Sequence, residues 1–527
     1  MSIKVLDVTL RDGGCVNNFN FGEKYMNLIL SSLEEAKVDY IELGYIDERN
    51  GTEKGRTQFI NEKVIYNHFL KKKKDGIKYV AMIDYLKYDV MKLEPRKDEG
   101  IDGIRLCFHK KDCYNVIPSI KHIISLGYEC YVQPMLTLRY SDKELIDFID
   151  TINREISDIS GFYVVDSFGE MRANEMKRLI FLVDYHLKPG IALGFHSHNN
   201  LQLSYSNAIS LIDYQTNRDI MIDSSIMGMG KGAGNLNTEL LLEHMNLCCK
   251  CKFNINPLIE VIDKVINQLH SEFYWGYAVE YYLSSINHCT PSYASHFYSK
   301  HMLPIEQVGE LLTLIDEDKK ISFDKEYAEQ LYRLYNASKT YDDEKILLDL
   351  KNKFKGKEVL VIAPGKSINQ YREKIDELKE KENILVITLN ITSEKSDYII
   401  TTRMDAYREA INRKMNIIVP SSLAKVSSSR ITVVDYKKWI VVEDDGHTRD
   451  SSAVICLNLL GYLNVKKIYL AGLDGFSNDI NENYYDPFYR RPVSGFQAHA
   501  RNNFYKKFIN ERKDEVEIEF VTPSLYE

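Results

Sequence analysis

The feature that most constrains the fold of this chain is a regular alternation of short apolar runs with amphipathic segments through its first half. The amphipathic segments, such as 23–36, 143–155 and 171–186, have helical periodicity, and the apolar runs predict buried strands. Eight such strands are predicted, at residues 3–9, 40–43, 78–83, 103–107, 129–135, 161–166, 192–196 and 220–224. Eight strand–helix units within about 250 residues are typical of a TIM barrel. The sequence therefore predicts an α/β fold whose first domain, residues 1–255, is a TIM (β/α)8 barrel.

The pattern changes twice in the second half of the chain. Residues 256–350 have helical periodicity without convincing strands, and we expect a helical domain there that completes the active site of the barrel. A new series of apolar runs then begins, at residues 359–362, 384–389, 398–401, 416–419 and 467–471. These runs predict an open, Rossmann-like α/β domain over residues 355–527.

Charge and hydropathy exclude two classes of partner. The 68 Lys+Arg residues against 76 Asp+Glu residues give a formal net charge of −8, which argues against nucleic acid as a partner. Charged residues, Asp7 and Arg11, interrupt the N-terminus before the apolar core of a signal peptide could form. No later run reaches the roughly 18 apolar residues of a membrane span. We therefore expect a cytoplasmic protein without a membrane span.

Polar residues end two of the predicted barrel strands, where the active site of a TIM barrel lies. The first strand runs into Arg11 and Asp12, and the seventh ends at His196-Ser197-His198. The i, i+2 spacing places both imidazoles on one face of an extended chain. Two histidines and one carboxylate can hold a metal ion and leave coordination positions open. Histidines that only form hydrogen bonds in the core are the alternative, but the position at the barrel mouth favours a metal site.

Three motifs in order make the chain similar to the DRE-TIM metallolyases, which include hydroxymethylglutaryl-CoA lyase, isopropylmalate synthase and 4-hydroxy-2-oxovalerate aldolase. They are TLRDG (9–13), GFHSHNN (194–200) and GMGKGAGNLNTE (228–239). The resemblance implies Mn²⁺ or Mg²⁺ held by Asp12, His196 and His198, with Asn235 close to the metal. It also implies a 2-oxo acid substrate whose enolate oxygen is stabilised by the metal and Arg11, which agrees with the charge that develops in such reactions. A structural ion pair is the alternative for Arg11.

The oxovalerate aldolases resemble this chain most closely. WGYAVEYYLSS (275–285) is similar to their LGYAGVYSSF segment, which implies that Tyr277 positions the substrate. DSFG (166–169) is similar to their DSAG, which implies that Ser167 contacts the substrate carboxylate and that Gly169 belongs to the same substrate-binding turn. Packing and turn formation are the alternatives for these residues.

Three further residues at the predicted strand ends are candidates for the chemistry. Glu42 matches a glutamate that assists proton transfer in the lyase branch, although it could equally tether Arg11. Arg105 could pair with a phosphate or carboxylate of the substrate, or form a structural ion pair. Cys15 stands where the aldolases have a histidine base. Because an ordinary thiol has a pKa of about 8.5 and is a poor base at neutral pH, either another group takes the proton or the reaction differs.

The C-terminal domain begins with VLVIAPGKS (359–367), a predicted strand, a tight turn and a helix start that could hold a phosphate. It matches neither a Walker motif nor GxGxxG, which argues against a fused NAD-dependent dehydrogenase. The segment weakly resembles the nucleotide loop of the sialyltransferase-like and motility-accessory-factor glycosyltransferases. That resemblance implies a nucleotide or nucleotide-sugar site around Gly365, Ser367, Asn390 and Asp474. A scaffolding or dimerisation domain is the alternative.

The first hypothesis for function is a divalent-metal-dependent aldolase, or carbon–carbon lyase, in cell-surface carbohydrate biosynthesis. It would act through the enolate of a 2-oxo acid, pyruvate by default, on an aldehyde or sugar carbonyl, and a C-terminal transferase would make it bifunctional. A Claisen-type acyltransferase of the isopropylmalate synthase kind is one alternative. A degenerate barrel that scaffolds the C-terminal domain is the other. A homo-oligomer is expected by analogy with the family.

Overall fold

The computed structural model describes residues 2–48, 53–68, 70, 73–156, 158–300, 303, 305–337, 341–393, 395–424, 426–443, 448–477, 479–486 and 495–527. The chain divides into two compact units, Met1–Ala294 and Ser295–Glu527. The division falls inside the helical stretch 256–350 that the sequence sets apart, and a separate helical domain stays a prediction.

The first unit is built on a closed parallel barrel. Its described strands are β1 (Ile3–Asp7), β2 (Tyr40–Ile46), β3 (Gln58–Phe59), β4 (Lys78–Asp84), β5 (Gly103–Phe108), β6 (Glu129–Pro134), β7 (Gly161–Asp166), β8 (Ala192–Ser197) and β9 (Ile220–Ser224). The barrel closes because β1 pairs with both β2 and β9, and the short β3 pairs with β2 outside the ring. The TIM barrel and its eight strands are confirmed.

Helices surround the barrel. They are α1 (Glu23–Ala36), α2 (Glu62–His68), α3 (Ile117–Ser125), α4 (Asp142–Glu155), α5 (Ala173–His186), α6 (Ser204–Ile212), α7 (Thr238–Cys248), α8 (Asn256–Val261), α9 (Asn267–Glu272), α10 (Val279–Ile286) and α11 (Pro291–Ser295). Helix α4 shows why such segments are helical. Ser141 and Glu144 form a capping box at its start, and Leu145, Phe148 and Ile152 are buried on one face. Each such burial stabilises the fold by about 1.5–3 kcal/mol.

The barrel interior holds an apolar cluster separate from the core between barrel and helices. It consists of Leu6, Val8, Val80, Tyr131, Tyr163, Val165 and Met221. The rings of Tyr131 and Tyr163 meet edge to face at 6.4 Å between centroids. The guanidinium of Arg105 lies over the Tyr163 ring, with its Cζ 4.7 Å from the centroid. The aromatic side chains of the interior thus pack against the charged guanidinium of Arg105.

The second unit is built on an open parallel sheet in the order β14-β13-β12-β11-β10-β17-β18. Its strands are β10 (Glu358–Ile362), β11 (Ile384–Leu389), β12 (Tyr398–Ile400), β13 (Ile417–Pro420), β14 (Ile431–Val434), β17 (Lys467–Ala471) and β18 (Glu517–Phe520), and β15 (Val441–Val442) pairs with β16 (Thr448–Arg449) in a separate hairpin. All five predicted strands are present, and the sequence missed β14 and β18. The strand order reverses between β10 and β17, which is where open α/β sheets bind ligands.

The helices of the second unit are α12 (Ile305–Thr313), α13 (Lys325–Ala337), α14 (Glu344–Phe354), α15 (Arg372–Lys379), α16 (Met404–Asn412), α17 (Tyr436–Trp439), α18 (Ser452–Tyr462), α19 (Ile480–Asn483) and α20 (Gly495–Lys513). Helix α18 is apolar on nearly all sides, and most of its residues are buried. A helix with this composition is expected inside a core. Among the helices that the structure describes, none combines the length and apolarity needed to cross a membrane.

Candidate active site

The barrel mouth gathers the three predicted metal ligands. Asp12 follows β1, His196 lies near the end of β8, and His198 follows that strand. One potential ligand atom from each residue lies within 4.8 Å of the others, and all three residues are buried. The sequence thus predicted a cluster that the fold brings together from positions far apart in the chain.

Each imidazole is oriented by a second contact. Nδ1 of His198 lies 3.2 Å from the Lys231 carbonyl oxygen, and its Nε2 lies 3.7 Å from Oδ2 of Asp12. Nδ1 of His196 lies 2.9 Å from Oδ2 of Asp223, a carboxylate on β9. Burial lowers the pKa of His198 to about 4, so this ring is neutral at neutral pH. A neutral imidazole has the lone pair that a metal requires.

Arg11 is held between two carboxylates. Its Nε donates to Oε2 of Glu42 at 2.6 Å, and its Nη1 donates to Oδ1 of Asp12 at 2.6 Å. The remaining terminal nitrogen, Nη2, is buried and has no hydrogen-bond partner among the described residues. A buried guanidinium nitrogen without a partner is costly, and an oxygen of a bound substrate would satisfy it.

The glycine-rich loop places Asn235 against Asp12. Nδ2 of Asn235 donates to Oδ2 of Asp12 at 2.7 Å and to the Met229 carbonyl oxygen at 3.0 Å. A Cβ at Gly230 would lie 2.2 Å from Nδ2 of Asn235 and 2.8 Å from Oδ2 of Asp12, so a glycine is required there. Burial alone would raise the pKa of Asp12, but His198, which is protonated at the low pH where this carboxyl titrates, and Arg11 hold it well below its ordinary value.

The donor set fits a divalent cation. It offers two imidazoles and an ionised carboxylate, and Oδ1 of Asn235 is buried without a partner in the described part of the chain. Nitrogen and carboxylate donors in this number suit a divalent metal ion with open positions for substrate. The barrel therefore contains a candidate metal triad, and Asn235 offers an additional oxygen donor beside Asp12.

A buried charge network that the sequence did not predict links the triad to its surroundings. Arg105 is 0% exposed and donates from Nη1 to Oε2 of Glu42 at 2.8 Å. Its Nη2 donates to Oδ2 of Asp223, the carboxylate beside His196. Oε2 of Glu42 thus accepts from both arginines, which favours the tethering role for Glu42. For Arg105 the geometry favours the structural pair over contact with substrate. An aspartate within the otherwise apolar run IMIDS (220–224) was the available signal for Asp223.

Cys15 and Lys231 also lie at the barrel mouth. Cys15 ends the 3₁₀ turn Gly13–Cys15 and reaches solvent. Residues packed around the sulfur and the Asp12 carboxylate raise the pKa of its thiol above the ordinary value, so the thiol stays protonated at neutral pH. Lys231 donates from Nζ to Oγ1 of Thr290 at 3.1 Å, and burial of its amine lowers its pKa. The sequence reasoning passed over Lys231, although a lysine within a glycine-rich motif was a visible signal.

Ser167 and Gly169 lie in the turn after β7. Oγ of Ser167 accepts a hydrogen bond from the Leu136 amide at 3.1 Å. Gly169 has a φ of +59°, and a Cβ there would lie 2.5 Å from the Asn200 amide nitrogen and 2.9 Å from the His198 carbonyl oxygen. The glycine therefore lets this turn lie directly against the histidine loop. Contact of either residue with substrate stays a prediction.

Tyr277 is less closely tied to the triad. Its side chain is 52% exposed, and its carbonyl oxygen accepts from the Tyr274 hydroxyl at 2.9 Å. In the described residues no hydrogen bond joins it to the metal triad. Trp275, two residues earlier, anchors the segment, because its indole nitrogen donates to the Met227 carbonyl oxygen at 2.9 Å. The structure thus places this segment beside the glycine-rich loop, and the positioning role of Tyr277 stays a prediction.

In the second unit, the predicted nucleotide residues surround the switch between β10 and β17. The Asp474 carboxylate accepts from the Ser367 amide at 2.8 Å and also from the Ser367 hydroxyl. A Cβ at Gly365 would lie 2.2 Å from the Gly472 carbonyl oxygen. Asn390 follows β11, and its Oδ1 accepts from Ser452 at 2.7 Å. The donors at Ser367 that the sequence assigned to a phosphate are therefore already bonded to the Asp474 carboxylate. This makes the turn a poor anion site.

Comparison with known proteins agrees with the geometry of the barrel. The HMGL-like family model matches residues 109–265. The chain is 26% identical to a 4-hydroxy-2-oxovalerate aldolase of Bacillus thuringiensis over 270 residues, which are 51% of this chain and 76% of that protein. It is 23% identical to an oxaloacetate decarboxylase of Mycobacterium tuberculosis over 243 residues, 45% of this chain and 68% of that protein.

A solved structure supports the fold alone. The carboxyl transferase domain of Rhizobium etli pyruvate carboxylase aligns with a TM-score of 0.50 at 12% identity, covering 66% of this chain and 65% of that chain. The family match lies within the first unit. In its barrel topology, its candidate metal triad and these matches, the first unit of this chain is similar to the HMGL-like domains of the DRE-TIM type.

Proposed function

We propose that the barrel is a divalent-metal-dependent carbon–carbon lyase or aldolase that acts through the enolate of a 2-oxo acid, with pyruvate as the default. The observation that carries this proposal is the triad Asp12, His196 and His198, whose ligand atoms lie within 4.8 Å of one another. Arg11 lies beside it with a buried Nη2 that has no described partner. The chain thus places a candidate metal site and the positively charged guanidinium of Arg11 side by side.

Asp12, His196 and His198 would hold Mn²⁺ or Mg²⁺. When bound, the ion would supply Lewis-acid polarisation of the carboxylate and keto oxygens of a 2-oxo acid. Arg11 donates from Nη2 toward the keto oxygen and stabilises the negative charge that develops there in the enolate. Glu42 and Asp12 fix the guanidinium plane, so that little reorganisation is needed when the charge appears.

Cys15 sets a limit on the chemistry. Its thiol stays protonated at neutral pH and can donate a proton or a hydrogen bond, but it does not act as a base there. Aldol cleavage requires a base on the substrate hydroxyl. Decarboxylation of a 2-oxo acid with a 3-carboxylate requires only loss of CO₂ and protonation of the enolate. The protonated thiol therefore favours decarboxylation as a second candidate, and one relative is an oxaloacetate decarboxylase.

Two other functions are alternatives for the barrel. A Claisen-type acyltransferase of the isopropylmalate synthase kind would use the same metal and Arg11. A degenerate barrel would serve only as a scaffold for the second unit. For that unit, the sequence resemblance supports nucleotide-sugar binding and a transferase step in cell-surface carbohydrate biosynthesis. We also propose that the enzyme is cytoplasmic and forms a homo-oligomer.

A product assay separates these candidates. The purified full chain is incubated with Mg²⁺ and with oxaloacetate, with pyruvate plus a panel of aldehydes, or with acetyl-CoA plus a panel of 2-oxo acids, and products are identified by mass spectrometry. Pyruvate released from oxaloacetate faster than without enzyme indicates decarboxylation, and a 4-hydroxy-2-oxo acid from pyruvate and an aldehyde indicates the aldolase. Acyl transfer from acetyl-CoA to a 2-oxo acid, with neither of these activities, would favour the acyltransferase. No turnover of any substrate would favour the scaffold.

A further inference from the structure

A cleft with a volume of about 100 Å³ lies within the second unit. It opens at the carboxyl ends of β11, β12 and β13 and at the start of α18. Three arginines, several hydroxyl groups and an aromatic wall line it. Of the four predicted nucleotide residues, only Asn390 lies in its lining.

The arginines are Arg403, Arg449 and Arg501. Arg449 donates from Nε to Oε2 of Glu443 at 2.5 Å, and its Cζ lies 4.9 Å from the Phe504 ring centroid. Arg501 is only 9% exposed, and its Cζ lies 5.2 Å from the Phe476 ring centroid. Burial, together with the nearby charge of Arg449, lowers the pKa of Arg501. Two guanidinium groups thus line the same cleft, each against an aromatic ring, an arrangement that a bound anion would stabilise.

Their carboxylate partners orient the arginines. Arg403 donates from Nε to Oδ1 of Asp405 at 3.0 Å, and Glu443 holds the Nε edge of Arg449. The terminal nitrogens of Arg449 have no hydrogen bond to a described residue. Asp450, which lines the cleft itself, already accepts from the hydroxyls of Tyr332 and Tyr436. The carboxylates of Asp405, Glu443 and Asp450 are therefore already hydrogen-bonded within the protein, whereas guanidinium donors line the cleft.

The buried N-terminus of helix α18 contributes a positive electrostatic potential to the cleft. Ser451 caps it, with Oγ accepting from the Val454 amide at 3.3 Å, and both Ser451 and Ser452 line the cleft. Because most of this eleven-residue helix is buried, its dipole is weakly screened. Oδ1 of Asn390 accepts from Thr401 and Ser452, which directs its Nδ2 donor toward other partners. The polar end of the cleft is rich in donors.

A buried hydroxyl supplies an independent observation. Thr448 is 5% exposed and lines the cleft, and its Oγ1 has no hydrogen-bond partner among the described residues. A buried hydroxyl without a partner is costly, and an oxygen of a ligand would satisfy it. The residue precedes Arg449 on β16, so the unsatisfied hydroxyl and the guanidinium belong to the same wall.

We propose that this cleft binds a phosphate ester, with its phosphate at Arg449, Arg501 and the start of α18. The aromatic wall would contact the organic part of the ligand. The site goes beyond the nucleotide role proposed above, because Asp474 blocks the turn that the sequence assigned to the phosphate. It is also independent of the chemistry of the barrel. Nucleotides and sugar phosphates share the phosphate ester that these residues would recognise.

The test is calorimetric titration of the full chain with inorganic phosphate, a panel of nucleoside monophosphates and glucose 1-phosphate. We expect at least one of the esters to bind more tightly than inorganic phosphate. Tighter binding of a nucleoside monophosphate than of glucose 1-phosphate identifies a nucleotide site, and the reverse order identifies a sugar-phosphate site. If no ester binds more tightly than inorganic phosphate, the proposal is wrong.

Variants locate the binding. Arg449→Gln removes a charge-assisted contact, and we expect roughly tenfold weaker binding of the ester. Arg372→Gln makes the same charge change on α15, where the side chain is 84% exposed, and should leave binding unchanged. Thr448→Val preserves the shape of the wall and should also weaken binding. Equal affinities of the wild type and both wall variants, with unchanged circular dichroism, would overturn the proposal. Asp12→Asn should not affect binding, which separates this result from failure of the barrel chemistry.

Discussion

Nδ2 of Asn235 donates a 2.7 Å hydrogen bond to Oδ2 of Asp12, although the two residues are 223 positions apart. This contact joins the glycine-rich loop to the first strand of the barrel. It holds the carboxylate beside the two imidazoles and leaves Oδ1 of Asn235 buried without a partner among the described residues. The metal triad is therefore supported from the loop side as well as by Arg11.

Replacement of one triad imidazole should abolish metal binding. For His198→Ala we expect loss of the roughly one divalent ion per chain that the triad can hold, because a carboxylate and one imidazole remain. Metal content is measured by mass spectrometry of dialysed protein, and His186→Ala on α5 is the control. Full retention of the ion by His198→Ala would place the metal elsewhere.

Substitution of Gly169 should disturb the histidine loop. Gly169→Ala adds a Cβ at a positive φ and 2.5 Å from the Asn200 amide nitrogen, so we expect a loss of more than about 2 kcal/mol of unfolding free energy, with weaker metal binding. Gly190→Ala is a matched control, because its φ is +86° and nothing lies within 4 Å of the added Cβ. The control should cost about 1 kcal/mol and leave metal affinity unchanged. Chemical denaturation and metal titration give both values, and equal effects in the two variants would exclude the steric explanation.

Arg105 should behave as a positioning residue. Arg105→Met leaves Glu42 and Asp223 without their shared cation, so we expect a loss of about 3–5 kcal/mol in unfolding free energy. Because the group lies away from solvent, kcat should fall through displacement of Arg11 and His196 while KM changes little. Unfolding and steady-state kinetics are the measurements. A rise in KM with unchanged kcat would instead indicate that Arg105 contacts substrate.

Asp7 should make stability depend on pH. Burial raises the pKa of this carboxyl to about 6 from its ordinary value near 4, although Thr238 and Thr9 donate to it. Between these values the unfolded chain loses the proton and the folded protein keeps it. The unfolding free energy of the wild type relative to Asp7→Asn should therefore fall by about 1.4 kcal/mol per pH unit from pH 4 to 6 and then level off. Denaturation at several pH values checks this, and a constant difference would contradict it.

The sequence predicted the barrel and its triad because both depend on local patterns. Strand periodicity identified all eight barrel strands, and the HxH spacing identified His196 and His198. The missed strands β14 and β18 are the two edge strands of the sheet, and β18 alternates charged Glu517 and Glu519 with apolar residues. Such segments are set by pairing with a neighbouring strand more than by their own periodicity.

The buried charge network around Arg105 could not be predicted from the sequence. Nothing local indicates that Arg105 meets both Glu42 and Asp223, since each lies on a different strand and the contacts depend on barrel closure. The same limit applies to Asp474, whose bond to the Ser367 amide depends on the pairing of β10 with β17. Motifs identified which residues are polar at strand ends, and only the fold shows which of them neutralise each other.

The most direct test of enolate chemistry is proton NMR of pyruvate in D₂O with the full chain and Mg²⁺, following loss of the methyl signal. We predict exchange that depends on Mg²⁺, disappears in Asp12→Asn and persists in Gly190→Ala. This result would establish that the Asp12, His196 and His198 cluster, with Arg11, stabilises the pyruvate enolate. Absence of exchange in wild-type protein with the metal demonstrably bound would contradict the proposal that pyruvate is enolised at this site.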